Sequence, residues 1–212
     1  MTLTRPSPVS ADALAGLLAQ LCVAAAGGGR IRVALDGSPA AAPGEIADAM
    51  VDPLRALGAQ PLRVPASGFL RPASLRYEFG KTDPDSYYGD WLDAAALSRE
   101  VLRPLGPGGT GRWLPSLWNP ETDRATRAAY EQAPEHAVLL VDGVFLLGRE
   151  LPFDLAIHVH IGAPALARRT PPGLSWTRPA FERYAAEVAP LETADVVVRR
   201  DDPRHPAVQM RR

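Results

Sequence analysis

The chain has 212 residues, with 23 basic side chains against 24 acidic ones, 22 prolines and one cysteine. That length fits one domain with a substantial core, and the near-balanced charge argues against a nucleic-acid-coating protein or a polybasic membrane protein. The single Cys22 excludes an internal disulfide and a cysteine-based zinc cluster. No stretch approaches the roughly 18 uninterrupted apolar residues of a membrane span, and the N-terminal segment lacks a basic-then-apolar leader, so a soluble, cytoplasmic protein is expected.

Ser10 is placed to cap a helix over 11–26 that carries Leu14, Leu17, Leu18 and Leu21 on one face, with "AGGGR" as its stop. Cys22 falls in this apolar run, where a buried, inert thiol is expected. "RIRVALDG" (30–37) reads as a strand in which Ile31, Val33 and Leu35 alternate. "EIADAMVDPLRAL" reads as a helix with Ile46, Met50 and Leu54 about one turn apart, kinked or divided by Pro53. "QPLRVPA" (60–66) is a second strand. Residues 67–92 show no clear periodicity and are rich in aromatics and charges, as functional loops are. A helix is expected over 93–105, then a short strand pair in "GRWLPSLWNP", and either helix or a loose connection over 121–133. Strands are expected over 136–148, 153–162 and 194–202, and helices over 163–169 and 177–191. Strands alternating with helices, some continuously apolar like "AVLLV", predict a mostly parallel sheet covered on both faces. Right-handed crossovers then bring the loops after Leu35, Pro65, Val141 and Ile161 to one sheet edge, where such folds bind ligands.

Strand, small-residue loop and helix over 33–50, "VALDGSPAAAPGEIADAM", is the layout of a phosphate-binding loop. The pattern G-x-x-x-x-G-K-[ST] would place its last three residues where this chain has Ala42, Pro43 and Gly44. With "RVALDGSPAA" stand "GFLRP", "FGKTDPDSYYGDWLDAAAL", "LRPLGPGGTGRW", "AVLLVDGVFLL" and "ALARR…ERY…ADVVV". In this order, over about residues 30–200, they resemble P-loop kinases of the uridine kinase and phosphoribulokinase type, specifically small bacterial uridine-kinase-like proteins. The resemblance implies a three-layer α/β/α P-loop-kinase-like fold over 1–212 with a short lid. It also implies ATP as phosphoryl donor, magnesium, and a nucleoside-like acceptor hydroxyl. The sequence points to neither a nucleic-acid nor a membrane partner and is compatible with a homo-oligomer.

The resemblance places Gly37, Ser38, Ala42, Pro43 and Gly44 in the phosphate loop. The chemistry of these residues departs from what a triphosphate needs. Pro43 has neither a lysine charge nor an N–H, Gly44 has no hydroxyl for magnesium, and Ala42 stands where glycine favours positive φ. Ser67 stands where relatives carry the catalytic carboxylate. Loss of one charge-stabilising group costs about 10²–10³ in rate, so weak or absent phosphoryl transfer is expected. The alternative is a non-catalytic nucleoside or nucleotide sensor or partner subunit.

Asp142 matches the magnesium-associated carboxylate of the family; otherwise it is a strand-end turn residue. Arg168 and Arg169 match the lid arginines that hold phosphate; otherwise they answer a helix dipole. Tyr87, Tyr88 and Asp90, with Asp93, match the substrate segment, though tyrosines there also serve as packing. Arg71 is a further substrate-side candidate. Lys81, the one lysine, lies in a "GKT" that no strand precedes, so it is a phosphate-loop decoy whose side chain either reaches the site or is solvated. His158 and His160 share a strand face without an evident third metal ligand and are read as structural.

Overall fold

A computed structural model describes residues 3–211 of the chain. In chain order the elements are β1 (Ser7–Pro8), α1 (Ala11–Ala26), β2 (Ile31–Gly37), α2 (Pro43–Ala49), α3 (Val51–Ala56) and β3 (Gln60–Pro65). The middle of the chain holds α4 (Ala73–Arg76), α5 (Pro84–Gly89), α6 (Ala94–Leu97) and the short strands β4 (Arg112–Trp113), β5 (Trp118–Asn119), β6 (Arg124–Ala125) and β7 (Glu131–Gln132). Then follow β8 (Ala137–Gly143), β9 (Leu155–His160), α7 (Ala163–Arg169), α8 (Arg178–Glu187), α9 (Pro190–Thr193), β10 (Val196–Arg199) and β11 (Ala207–Met210).

Helix α1 starts and stops on its caps. The Ser10 hydroxyl accepts from the Ala13 amide at 3.1 Å, and Gly27 ends the helix at φ 56. Pro53 divides the next helix rather than bending it. Its ring would collide with the carbonyl four residues back, at Ala49, and α2 ends at Ala49. Ile46, Met50 and Leu54 are nevertheless all buried against the sheet.

The sheet order is β1-β11-β10-β9-β2-β8-β3. The five strands β10, β9, β2, β8 and β3 run parallel, and β11 and β1 close one edge antiparallel. Residues from α1, α2, α3 and α7 form one core with Ile31, Val33 and Leu35. Residues from α6, α8 and α9 pack the opposite face with Leu139, Val141 and Val197. The arrangement is the three-layer, mostly parallel fold expected of P-loop kinases.

The alternation in β2 hides a further fact: all seven of its residues are buried. Its second face carries Arg32 and Asp36, and each has a partner that offsets desolvation. Arg32 makes a two-pronged pair with Asp154, at 2.8 and 2.6 Å, and donates to the Leu102 carbonyl at 3.1 Å. Asp36 Oδ2 lies 2.7 Å from His158 Nδ1, and Asp36 Oδ1 accepts from the Leu146 amide at 2.9 Å.

Elsewhere the boundaries move. The helix expected over 93–105 is a short α turn, capped by Asp93, that widens into a π-helical turn over Ser98–Leu102. The two strands expected to pair within 111–120 pair elsewhere, β4 with β7 and β5 with β6, so 121–133 is short strand and turn rather than helix. The strand expected to reach residue 148 stops at Gly143, and Phe145 turns the chain at φ 55. β1 and β11 were not foreseen.

Candidate functional site

The C-terminal ends of β2, β3, β8 and β9 share one sheet edge, as right-handed crossovers require. A cavity of about 420 Å³ opens there. Its walls include Gly37, Ala42, Pro43, Gly44, Ser67 and Asp142. Gly37 is required by close approach, since a Cβ there would lie 2.7 Å from the Val159 carbonyl oxygen.

The loop after β2 holds a 3₁₀ turn over Pro39–Ala41. Its own turn consumes two amides: Ala41 donates to the Ser38 carbonyl at 2.9 Å and Ala42 to the Pro39 carbonyl at 3.0 Å. Pro39 and Pro43 carry no N–H. Ala42 does adopt the left-handed geometry expected of a glycine, at φ 53 and ψ 57. It also precedes a proline, which disfavours helical ψ, so the position is strained twice. Pro43 itself suits the first position of α2.

Two arginines hold this loop through its carbonyl oxygens. Arg169 Nη1 donates to the Ala40 carbonyl at 3.4 Å and to the Arg200 carbonyl at 3.1 Å, and its Nη2 donates to the Asp201 carbonyl. Arg200 Nη1 donates to the Ala41 and Ala42 carbonyls at 2.8 and 3.3 Å, while its Nη2 meets Glu45 at 2.7 Å. Arg168 is exposed on α7.

Asp142 lies at the end of β8 in the cavity wall, and a guanidinium engages it. Arg63 Nη1, reaching across from β3, donates to Asp142 Oδ1 at 2.7 Å. The same guanidinium lies 2.9 Å from Asp48 Oδ1 and 3.4 Å from the Gly44 carbonyl oxygen. Asp142 Oδ2 lies 3.0 Å from where a Cβ on Gly44 would stand, so any side chain at 44 would press on the carboxylate. Ser67 is exposed in the turn after β3 and lines the cavity.

The aromatic wall comes from α5 and from the turns beyond α5 and β8. Tyr87 stands edge-on to Trp91, Phe145 and Trp176, with ring centroids 4.9, 5.3 and 5.5 Å away. Burial pushes its hydroxyl up to about 12. Trp91 and Trp176 lie 5.9 Å apart, and the buried Trp91 indole nitrogen has no hydrogen-bond partner. Tyr88 packs on Phe145 at 5.1 Å, with Arg183 over its ring at 4.8 Å. Asp90 is half-buried at the end of α5, whereas Arg71 and Lys81 are exposed. The cavity therefore collects Tyr87, Asp142, Gly37, Ala42, Pro43 and Gly44, while Arg71, Lys81, Arg168, Arg169, Tyr88 and Asp90 are not part of its wall and Ser38 lines the second cavity.

Three contributors escaped the sequence. Arg63 sits in a strand too short for an arginine to draw notice. Arg149 lines the cavity and donates to the Phe145 carbonyl at 2.7 Å, the Gly89 carbonyl at 3.3 Å and the Tyr88 carbonyl. Burial lowers its pKa. Arg200 is distant from the loop in sequence, and its one visible signal is its place just past the last parallel strand.

On the other side of the loop, His158, His160 and Tyr184 line a second cavity of about 360 Å³. Burial, then the charges of His158 and Arg199, lower His160 to about 4. Among the described residues no group of three His, Cys, Asp or Glu side chains is placed to hold a metal ion. No helix among them is long and apolar enough to cross a membrane.

No protein-family model matches the sequence, and no curated protein matches it. Solved structures do. A Bacillus stearothermophilus protein described as a possible uridine kinase superposes with a TM-score of 0.71 at 19% identity, over 87% of this chain and 97% of its own. A Silicibacter sp. TM1040 protein, provisionally assigned as a fructose transport system kinase, superposes at 0.56 with 24% identity, over 84% and 94%. At these identities the likeness establishes a kinase-like fold.

Proposed function

We propose that the chain is a P-loop-kinase-like protein that binds a nucleoside-like small molecule in the edge cavity, with phosphoryl transfer weak or absent. One observation carries the reading: a single cavity combines the aromatic Tyr87 wall and Asp142 with a loop that has proline at the lysine position. Tyr87 and Trp91 offer apolar surface to a planar ring, and Asp142 Oδ2 offers an acceptor for a sugar hydroxyl.

ATP and magnesium, which the kinase-like neighbours imply for an active member, fit these residues poorly. Position 44 has no hydroxyl, Asp142 is paired with Arg63, and four of the loop's amides are missing or spent. Ser67 offers no carboxylate to receive an acceptor proton. The remaining site expectations stay with the ligand's periphery: Arg168 and Arg169 toward phosphate, and Arg71, Lys81, Tyr88 and Asp90 toward the acceptor. The near-balanced charge supports a small-molecule partner rather than nucleic acid.

If the chain is active, the γ-phosphate of ATP passes to a primary hydroxyl of the same ligand; the kinase neighbours favour this second reading. Calorimetry with Mg-ATP and, separately, a nucleoside panel decides between them. Nucleoside binding with no ATP binding and no ADP release is expected. Brisk ATP consumption by the unaltered protein overturns the reading. ATP turnover that appeared only in the quadruple variant Ala42→Gly, Pro43→Lys, Gly44→Thr, Ser67→Asp would show that the scaffold is sound and that the chemistry was lost at these positions.

A further inference from the structure

Three oxygens from two elements surround one guanidinium beside the cavity. Asp142 Oδ1 of β8, Asp48 Oδ1 of α2 and the Gly44 carbonyl oxygen at the start of α2 lie 2.7, 2.9 and 3.4 Å from the guanidinium nitrogens of Arg63. Carboxylate and carbonyl oxygens are also the ligand types that hold a hard cation. Here a side chain supplies the cation. The pair is largely withdrawn from water, with side-chain exposures of 20% for Arg63 and 15% for Asp142. Screening by salt is therefore weaker than at a surface pair.

We infer that Arg63 is the resident cation of this site, so that the cavity takes its ligand without a divalent metal. The inference rests on the nucleoside-binding reading for the identity of the ligand, but the cation's place stands on the three oxygens alone. An arginine there has two consequences. A divalent ion must first displace a guanidinium tethered to β3, which is always present at high effective concentration. The guanidinium also orients Asp142 with Oδ2 toward Gly44, so an acceptor oxygen is available to a ligand hydroxyl. The fixed charge thus does locally what a metal would do, and it does so without exchange.

The test removes the charge while keeping the stem. Arg63→Met preserves length but donates nothing, leaving the two carboxylates and the carbonyl facing one another. Manganese is the probe, read by electron paramagnetic resonance on the full chain with no ligand present. Unaltered protein is expected to bind no Mn²⁺ at this site in the sub-millimolar range. R63M is expected to gain Mn²⁺ affinity by about tenfold or more, into the range of about 10⁻⁴–10⁻³ M typical of weak oxygen sites. R63M combined with Asp142→Asn is expected to lose that gain, and Arg63→Lys, which keeps a cation, is expected never to show it.

Binding of Mn²⁺ by the unaltered chain that disappears in D142N overturns the inference. So does a folded R63M that binds no Mn²⁺. If R63M fails to fold, Arg63→Gln is read in the same way, with circular dichroism confirming its structure. A second arm uses uridine and adenosine as calorimetric probes in EDTA and in magnesium chloride. Affinity unchanged within about twofold is expected, since a metal-linked site would shift it with metal saturation. If neither nucleoside binds, the functional reading fails while the manganese arm still decides the place of Arg63.

Discussion

Replacing Ala42 by glycine should make the protein more stable, which is unusual for a substitution that removes a side chain. Ala42 sits at φ 53 and ψ 57 directly before Pro43. A left-handed conformation costs a non-glycine residue about 1–2 kcal/mol, and the following proline adds to the conflict. Glycine removes that penalty but makes the unfolded chain more flexible, which returns about 0.4–1 kcal/mol. The balance is a gain of about 1 kcal/mol, or about 2–4 °C in Tm for a protein of this size. Differential scanning calorimetry reads it directly. Ala189 provides a matched site within the same molecule, because it stands at φ 48 before Pro190 and opens α9 in the same way. Ala189→Gly should raise Tm by a similar amount. A lowered or unchanged Tm in both variants would refute the reasoning, because it would mean that neither alanine holds the left-handed geometry in solution.

His160 should make stability depend on pH. Its folded-state pKa, lowered to about 4, lies below the ordinary value of 6.5, so the unfolded chain binds the proton more readily between those values. Its contribution is fully present above about pH 6.5 and is lost as pH falls toward 4; urea titrations across that window should show the slope, and His160→Gln should reduce it. Cys22 is fully buried, and burial pushes its thiol up to about 12. Ellman's reagent should therefore leave the native protein unmodified and label it only on denaturation, whereas rapid native labelling would refute the placement of α1 against the sheet.

The sequence was most readable where a local signal coincides with a tertiary demand. Ser10 and Gly27 mark both ends of α1, and the split between α2 and α3 follows from the single ring of Pro53. β8 announced itself because its first five residues are buried and continuously apolar, and β2 through the alternation of Ile31, Val33 and Leu35. β1 and β11 did not, because they are short and held to each other and to β10 by main-chain bonds that any side chains permit. The ribbons β4–β7 and β5–β6 failed for a related reason: their partners are set by loop closure, and the intervening residues carry no period. At the site, the loop after β2 could be placed at the sheet edge from its strand–loop–helix layout. The three-way contact of Arg63 could not, since its partners come from α2 and β8 and meet only once the sheet has formed.

The indoles of Trp91 and Trp176 approach within 5.9 Å from chain segments more than eighty positions apart, and both meet the ring of Tyr87. Emission from such a pair is sensitive to small changes in mutual tilt and in nearby water. The molecule consequently contains its own optical gauge of whether the turn after α5 and the turn before α8 stay together. Titrating unlabelled protein in a fluorimeter would follow that junction without a dye, a tag or an altered residue.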